Sequence, residues 1–130
     1  MPGTLLLDSE GLSRLYRKDR TVVALVQAAA EEGVRVVTTA MTTLEADDQR
    51  IHPARIAWTL SRIDVRDVTR EVAAHAASLL RAHHLHGHRY AIDAVLAAIA
   101  RASSPPATVL TSDPVDLAVL CGPAVEIVKL

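Results

Sequence analysis

Short apolar runs alternate with longer amphipathic segments along the whole chain. Four of the runs are rich in Val and Leu and too short for a helix, which predicts buried strands over 4–7, 34–39, 108–110 and 125–128. The segment 63–68 instead alternates apolar with charged residues, as a strand at the edge of a sheet does. The pattern therefore predicts five strands.

The segments between these strands have the spacing of amphipathic helices. The first begins behind Ser9, which occupies the expected N-cap position, and carries Leu12, Leu15 and Tyr16 on one face. Further helices are predicted over 21–32 before Gly33, from Leu44 behind Thr42 and Thr43, from Pro53 through Leu60, from the cap Thr69 through Leu80, over 90–102, and after Asp113-Pro114. The alternation predicts one α/β domain over residues 1–130, with a parallel sheet and helices on both faces.

Composition narrows the range of functions. Half of the 130 residues are hydrophobic and 22% are charged, which suits a chain that buries its own core. The formal net charge of −1 gives no overall attraction for a polyanion, so any contact with nucleic acid has to be local. The chain has no Phe, one Trp and two Tyr, which argues against a surface on which bases stack.

The single cysteine, Cys121, excludes an internal disulfide and a paired-cysteine zinc site, as is typical of proteins in a reducing compartment. No apolar stretch reaches the roughly 20 residues of a membrane-spanning helix, and the run 5–7 is too short for a signal-peptide core. We therefore expect a cytoplasmic protein that does not enter the membrane.

Four carboxylates are candidates for chemistry. In an open α/β sheet, ligands bind beyond the carboxyl ends of the strands, and Asp8, Glu45 and Asp113 follow predicted strands. Each also has a structural interpretation: Asp8 as the start of a turn, Glu45 as a solvated helix residue, and Asp113 as a helix cap.

Asp93 differs from the other three because it lies in an alanine-rich segment that is apolar almost all round, the pattern of a buried helix. A buried carboxylate has to be protonated, paired with a cation or bound to a metal. Arg89 and Arg101 are the basic residues spaced to pair with it, so a buried salt bridge is the structural alternative.

A shared location for the four acids would point to a metal. Carboxylates brought within a few ångströms repel one another unless a divalent cation neutralises them. Oxygen ligands without cysteine or paired histidine favour Mg²⁺ or Mn²⁺. Such an ion supports phosphodiester hydrolysis, because it activates water and stabilises the charge that develops on the phosphate.

The chain resembles the PIN-domain family of metal-dependent ribonucleases, which includes the VapC toxins of toxin–antitoxin pairs. The resemblance spans the whole chain and is carried by Leu5-Leu6-Leu7-Asp8-Ser9, Thr43-Leu44-Glu45, Tyr90-Ala91-Ile92-Asp93-Ala94 and Leu110-Thr111-Ser112-Asp113-Pro114-Val115-Asp116-Leu117. It implies an α/β/α sandwich around a parallel sheet, and an endoribonuclease that uses Mg²⁺ or Mn²⁺. It also implies an RNA substrate, a cognate antitoxin with a basic side chain near the acids, and a homodimer.

The resemblance also implies a role for each site residue. Asp8, Asp93 and Asp113 would be metal ligands, and Glu45 would bind through water or orient the attacking water. Ser9 and Thr111 would be polar supports, and Asp116 would share the role of Asp113. Glu10 departs from the small or apolar residue expected beside the first acid, and would repel RNA if it faced the cleft.

Five of the six histidines lie between His75 and His88, but their spacing does not match a closed zinc site. We instead expect Arg81, His83, His88 and Arg89 to form a mildly basic rim that attracts RNA phosphates. The arginines at 50, 55, 62, 66 and 70 are interleaved with acids and are expected to form a mixed surface.

Three other functions compete with the nuclease. An inert PIN-like domain would serve as a protein-binding module. The segment Asp8-Ser9-Glu10-Gly11 is similar to the nucleophile motif of haloacid-dehalogenase-like phosphatases, but Glu10 stands where a second aspartate is needed. A phosphoacceptor receiver domain is disfavoured because no lysine follows the fourth strand.

Overall fold

A computed structural model of the chain describes residues 2–130 and contains one five-stranded sheet. Its strands are β1 (Thr4–Leu7), β2 (Arg35–Thr39), β3 (Asp64–Arg66), β4 (Ala107–Thr111) and β5 (Val125–Lys129). Their order across the sheet is β3-β2-β1-β4-β5, and every neighbouring pair is parallel. The carboxyl ends of all five strands therefore lie at the same edge of the sheet.

Seven helices connect and cover the strands in the described part of the chain. They are α1 (Ser9–Tyr16), α2 (Arg20–Glu31), α3 (Ala40–Ala46), α4 (Pro53–Ser61), α5 (Arg70–Ala82), α6 (Gly87–Ala102) and α7 (Pro114–Cys121). None of the helices within residues 2–130 combines the length and the apolar character needed to cross a membrane.

Each face of the sheet has its own hydrophobic core. Leu6 packs in the core that α5, α6 and α7 complete, whereas Leu5 and Leu7 pack in the core formed with α1 to α4. This division follows from the alternation of side chains along a strand. The predicted α/β fold with a parallel sheet between two helical layers is confirmed.

The structure corrects the start of the first helix. Asp8, rather than Ser9, is the N-cap of α1, because its side chain accepts a hydrogen bond of 2.8 Å from the backbone N–H of Gly11. Ser9 is the first helical residue. Aspartate and serine are both strong N-cap residues, and which one serves depends on backbone angles that the sequence does not display.

Other boundaries shift by a few residues. The helix α3 begins at Ala40, four residues before the predicted start at Leu44, because the hydroxyl of Thr39 accepts from the backbone N–H of Thr42 at 3.0 Å. The helix α6 begins at Gly87 rather than Tyr90. The strand β3 lies at the edge of the sheet as predicted, but it is shorter than 63–68 because only three of its residues pair with β2.

The helix α6 is buried over nearly two turns. Every residue from Ala94 through Ala100 is buried, as the apolar pattern predicts. Asp93 is half-buried and directly precedes this stretch, so the helix holds its carboxylate where the core meets the carboxyl edge of the sheet.

Candidate metal centre

Asp8 connects the end of β1 to the loop that follows β4. Its side chain is only 7% exposed, and one carboxylate oxygen accepts from the backbone N–H of Gly11. The other oxygen accepts from the backbone N–H of Ser112 at 3.2 Å. Burial raises the pKa of Asp8 above its ordinary value, while hydrogen bonds from Gly11, Thr111 and Ser112 oppose that rise.

Thr111 organises the loop that carries the next acid. It is fully buried at the end of β4, and its hydroxyl oxygen accepts a hydrogen bond of 2.8 Å from the backbone N–H of Asp113. Asp113 occupies the N-cap position of α7 as predicted, but its side chain makes no capping hydrogen bond within residues 2–130. Its carboxylate is therefore not used in capping.

Three carboxylates from α6 and α7 lie together. Asp93, Asp113 and Asp116 each offer an oxygen, and these oxygens all lie within 4.8 Å of one another. Asp93 and Asp116 are half-buried and Asp113 is exposed, so the group is open to solvent on one side. The structure thus brings an oxygen of Asp116, as well as one of Asp113, to within 4.8 Å of an oxygen of Asp93.

The acids repel one another across this centre. Burial, followed by the negative charges of Glu45, Asp113, Asp8 and Asp116, raises the pKa of Asp93 to about 6. Burial and the neighbouring Asp113 likewise raise the pKa of Asp116. The other four carboxylates therefore all act on the charge of Asp93.

Glu45 reaches the centre from the other helical layer. It lies on α3 with an exposed side chain and is outside the group of three, yet its charge is the first of the four that raise the pKa of Asp93. A buried hydrogen bond of 2.8 Å between the hydroxyls of Thr39 and Thr42 fixes the beginning of this helix.

The salt bridge considered for Asp93 is not found. Neither Arg89 nor Arg101 forms an ion pair with it in the part of the chain described. Arg101 instead donates from one guanidinium nitrogen to the carbonyl oxygens of Leu120 and Cys121, at 3.3 and 3.2 Å, at the end of α7.

Glu10 forms ion pairs with two arginines and therefore presents no free negative charge to the cleft. Its carboxylate lies 3.4 Å from the guanidinium of Arg14 and 3.1 Å from that of Arg17, along the surface of α1 and just beyond it. Its charge is the smallest contribution to the raised pKa of Asp8.

Two contributors to the site were missed by the sequence analysis. Gly11 and Ser112 hold Asp8 through backbone N–H groups, and a backbone donor leaves no residue-type pattern in a sequence. A Cβ at position 11 would lie 3.4 Å from an oxygen of Asp8, an ordinary van der Waals contact, so the bond to Asp8 uses the backbone of this position in α1 and does not depend on the residue being glycine. Ser9 is half-buried at the start of the same helix.

The histidine-rich segment 83–88, which connects α5 to the first turn of α6, supplies no ligand to this group of acids. His83, His84, His86 and His88 are exposed, and within residues 2–130 none of them belongs to a group that could hold a metal ion.

The donor set of the acidic centre fits a hard divalent cation. All of its side-chain donors are carboxylate oxygens, which Mg²⁺ and Mn²⁺ prefer. Two oxygens bound to one Mg²⁺ at about 2.1 Å are at most about 4.2 Å apart, a spacing that the three aspartates can reach with small rotations. A cation would also remove the repulsion that raises the pKa of Asp93.

Comparisons with known proteins bear on the fold. Neither a scan against models of protein families nor a search of curated proteins found a match. Among solved structures, the chain is similar to VapBC2 from Rickettsia felis, solved bound to a DNA fragment from its promoter. The TM-score is 0.69, the identity is 12%, and the match covers 98% of each chain. The PIN-like α/β/α fold implied by the sequence motifs is therefore confirmed at the level of structure.

Proposed function

We propose that the protein is a divalent-metal-dependent endoribonuclease, built as one PIN domain over residues 1–130, and the toxin of a toxin–antitoxin pair. One observation carries the proposal: five carboxylates from four separate segments act on one place at the carboxyl edge of the sheet. Such a cluster weakens the folded protein unless a ligand compensates for it. The similarity in fold to VapBC2 supports the PIN-like fold from which we infer that this edge of the sheet is the nuclease site.

Each residue has a distinct role in this proposal. Asp8, Asp93 and Asp113 hold the metal, and Asp116 shares the role of Asp113 because an oxygen of each lies within 4.8 Å of an oxygen of Asp93. Glu45 binds through water or orients the attacking water. Thr111 and Ser9 support the acids. When bound, Mg²⁺ or Mn²⁺ supplies an activated water and neutralises charge on the phosphate.

The experiment compares RNA cleavage by the wild-type chain with that of Asp93→Asn and Asp8→Asn, in Mg²⁺ or Mn²⁺ and in EDTA. Each variant should lose at least about 100-fold in kcat, the scale of losing a principal electrostatic group, while its circular dichroism spectrum stays unchanged. Asp67→Asn is the matched control, because this exposed aspartate is not among the acids whose charges act on Asp93. Full cleavage by either site variant contradicts the proposal.

A second function, the inert PIN-like protein-binding module, is favoured by a different feature. A groove of about 520 Å³ in the described residues is lined by none of the five acids. Metal titration separates the two functions. A nuclease binds Mn²⁺ at the acids and is stabilised by it, by about 2.7 kcal/mol when the metal is at 100 times its Kd. An inert module shows no shift in melting temperature.

The same groove supports a protein partner for the nuclease. Its floor is apolar and lies between α2 and α4, and Trp58 is 60% exposed at its side. Lys18, Arg20, Arg55 and Arg62 line it, and none of the four forms an ion pair within the described residues. This charge complements an amphipathic helix with acidic flanks, which we propose is a segment of the antitoxin.

Two further parts of the proposal follow from the resemblance alone. We propose that the chain forms a homodimer, which light scattering of the purified protein would measure directly. We also propose that it acts in the cytoplasm, where its RNA substrate is found.

A further inference from the structure

An RNA phosphate meets an electrostatic barrier at the acidic centre. The five carboxylates carry up to five negative charges, and one divalent ion neutralises two of them. The substrate is itself an anion, so it approaches a surface that stays negative after the metal has bound. A productive complex therefore needs a positive side chain at the mouth of the centre.

Arg89 is placed to supply that charge. It lies in the first turn of α6, four residues before Asp93, so the two share one face of the helix. Its side chain is exposed and forms no ion pair within residues 2–130. Its charge also acts on the centre, because it partly offsets the rise in the pKa of Asp116.

Helix stability does not explain an arginine at this position. The first turn of a helix is its positive end, where a cation is unfavourable and an acid is favourable. The first turn of α6 contains no acid, and the side chain of its N-cap, His86, makes no capping hydrogen bond. The contact of the guanidinium carbon with the ring of Tyr90, at 5.2 Å to the centroid, leaves the N–H edge of the guanidinium free to bind a ligand.

We propose that Arg89 binds a backbone phosphate of single-stranded RNA beside the metal centre and holds the strand against the repulsion of the acids. This inference rests on the proposed function, since it assigns the residue to the substrate of that same site. Arginine suits the task because its planar N–H groups match two phosphate oxygens at once.

The test measures binding of a fluorescein-labelled single-stranded RNA by anisotropy, with Ca²⁺ in place of Mg²⁺ and the RNA checked for integrity on a gel. Arg89→Ala should weaken binding about 5- to 10-fold, and Arg89→Lys should fall between it and wild type. Between about 50 and about 200 mM salt, the slope of log K against log salt should lose about 0.7, the contribution of one phosphate contact on a single strand.

Arg70→Ala is the matched control, because Arg70 is also an exposed arginine in the first turn of a helix, α5, without an ion pair within the described residues. It should bind RNA like wild type. A structural role for Arg89 would lower the melting temperature of Arg89→Ala, whereas we expect that temperature to stay the same or rise. Mn²⁺ should bind Arg89→Ala at least as tightly as wild type, because a nearby positive charge has been removed.

The outcomes distinguish this inference from the proposed function. Equal RNA affinity and equal salt slope for wild type and Arg89→Ala would overturn the role of Arg89, even if the enzyme cleaves RNA. A wild type that binds RNA through Arg89 but never cleaves it would overturn the nuclease and leave the phosphate contact established. Weaker Mn²⁺ binding by Arg89→Ala would overturn the role of Arg89 in RNA binding, because the residue would then be needed to position the metal ligands, and a wild type that binds no RNA would overturn both.

Discussion

Asp93 makes the stability of the metal-free protein depend on pH in an unusual direction. Its pKa is about 6 in the folded protein and near 3.8 in the unfolded chain, so the folded state binds the proton more tightly. Protonation of Asp93 therefore stabilises the folded state. This stabilisation is fully present below pH 3.8 and is lost as the pH rises through 6. Asp8 and Asp116, whose pKa values are also raised, act in the same direction.

In EDTA we therefore expect the melting temperature to be higher near pH 5 than near pH 7.5, and the difference to shrink in Asp93→Asn. Asp67→Asn, which removes an exposed acid elsewhere, should keep the full difference. Differential scanning fluorimetry across this range measures the effect. An identical pH dependence in wild type and Asp93→Asn would show that the repulsion at this carboxyl is absent in solution.

Thr111 holds two parts of the centre with one hydroxyl. It accepts from the backbone N–H of Asp113, and its hydrogen bonding lowers the pKa of Asp8. Thr111→Val keeps the shape and leaves the partly buried N–H of Asp113 without its partner, which should cost about 1 kcal/mol in the free energy of unfolding, the usual net value of one hydrogen bond. Mn²⁺ affinity should fall about 10- to 100-fold, because such supporting partners orient the ligands.

Urea denaturation and Mn²⁺ titration measure the two effects of Thr111→Val. The conservative variant Thr111→Ser keeps the hydroxyl and should retain most of the metal affinity. If Thr111→Val bound Mn²⁺ as tightly as wild type, the hydroxyl would have no part in positioning the acids.

At the scale of elements, the alanines of α6 determine how closely the sheet and its neighbouring helices approach Asp93. Ala97 is fully buried one turn after the aspartate. Ala97→Leu adds three carbon atoms to a packed interior and should lower the free energy of unfolding by about 1–3 kcal/mol. It should also weaken metal binding, because α6 must shift to accommodate the larger side chain.

Ala102→Leu is the control for this substitution, since Ala102 is an exposed alanine at the end of the same helix. Chemical denaturation should find the control close to wild type. A wild-type stability for Ala97→Leu would mean that α6 is less tightly packed than its burial indicates.

The sequence predicted the elements better than their ends. Apolar periodicity located α6 and its burial, because a helix without a polar face has few alternatives to the interior. Its first turn, Gly87 to Arg89, was missed because it contains no apolar residue to extend the pattern. Ser9 was wrongly assigned as the cap of α1 for a different reason: Asp8 is of an equally suitable type, and the choice is settled by its bond to Gly11.

At the scale of the whole molecule, the convergence of the acids was predictable and its details were not. Parallel strands end at one edge, so acids after strands were expected to meet there. The approach of both Asp113 and Asp116 to within 4.8 Å of Asp93 depends on how α7 packs against α6, which no local pattern specifies. The groove between α2 and α4 was not predicted, because its residues are scattered from Leu15 to Ile63 and become neighbours only in the fold.

We expect the groove between α2 and α4 to bind the antitoxin. Trp58→Ala should weaken binding of the cognate antitoxin, taken from the adjacent open reading frame, by at least about 30-fold, the effect of losing a 2 kcal/mol anchor. Arg55→Glu should also weaken antitoxin binding, and more strongly at low salt, because it reverses one of the positive charges that line the groove. Both variants should keep the RNA cleavage rate of the free protein, since neither residue lies among the acids.

The matched control is Val119→Ala, which removes an exposed apolar side chain from α7 instead of from the groove. Calorimetric titration of each variant with the antitoxin gives the affinities, and cleavage assays on the same samples check the active site. Unchanged affinity in both groove variants would contradict an antitoxin in this groove and leave the nuclease untouched. A loss of cleavage in Trp58→Ala without antitoxin would instead mean that RNA binds in the groove. Its lining is basic and contains none of the five acids, so it suits an RNA strand.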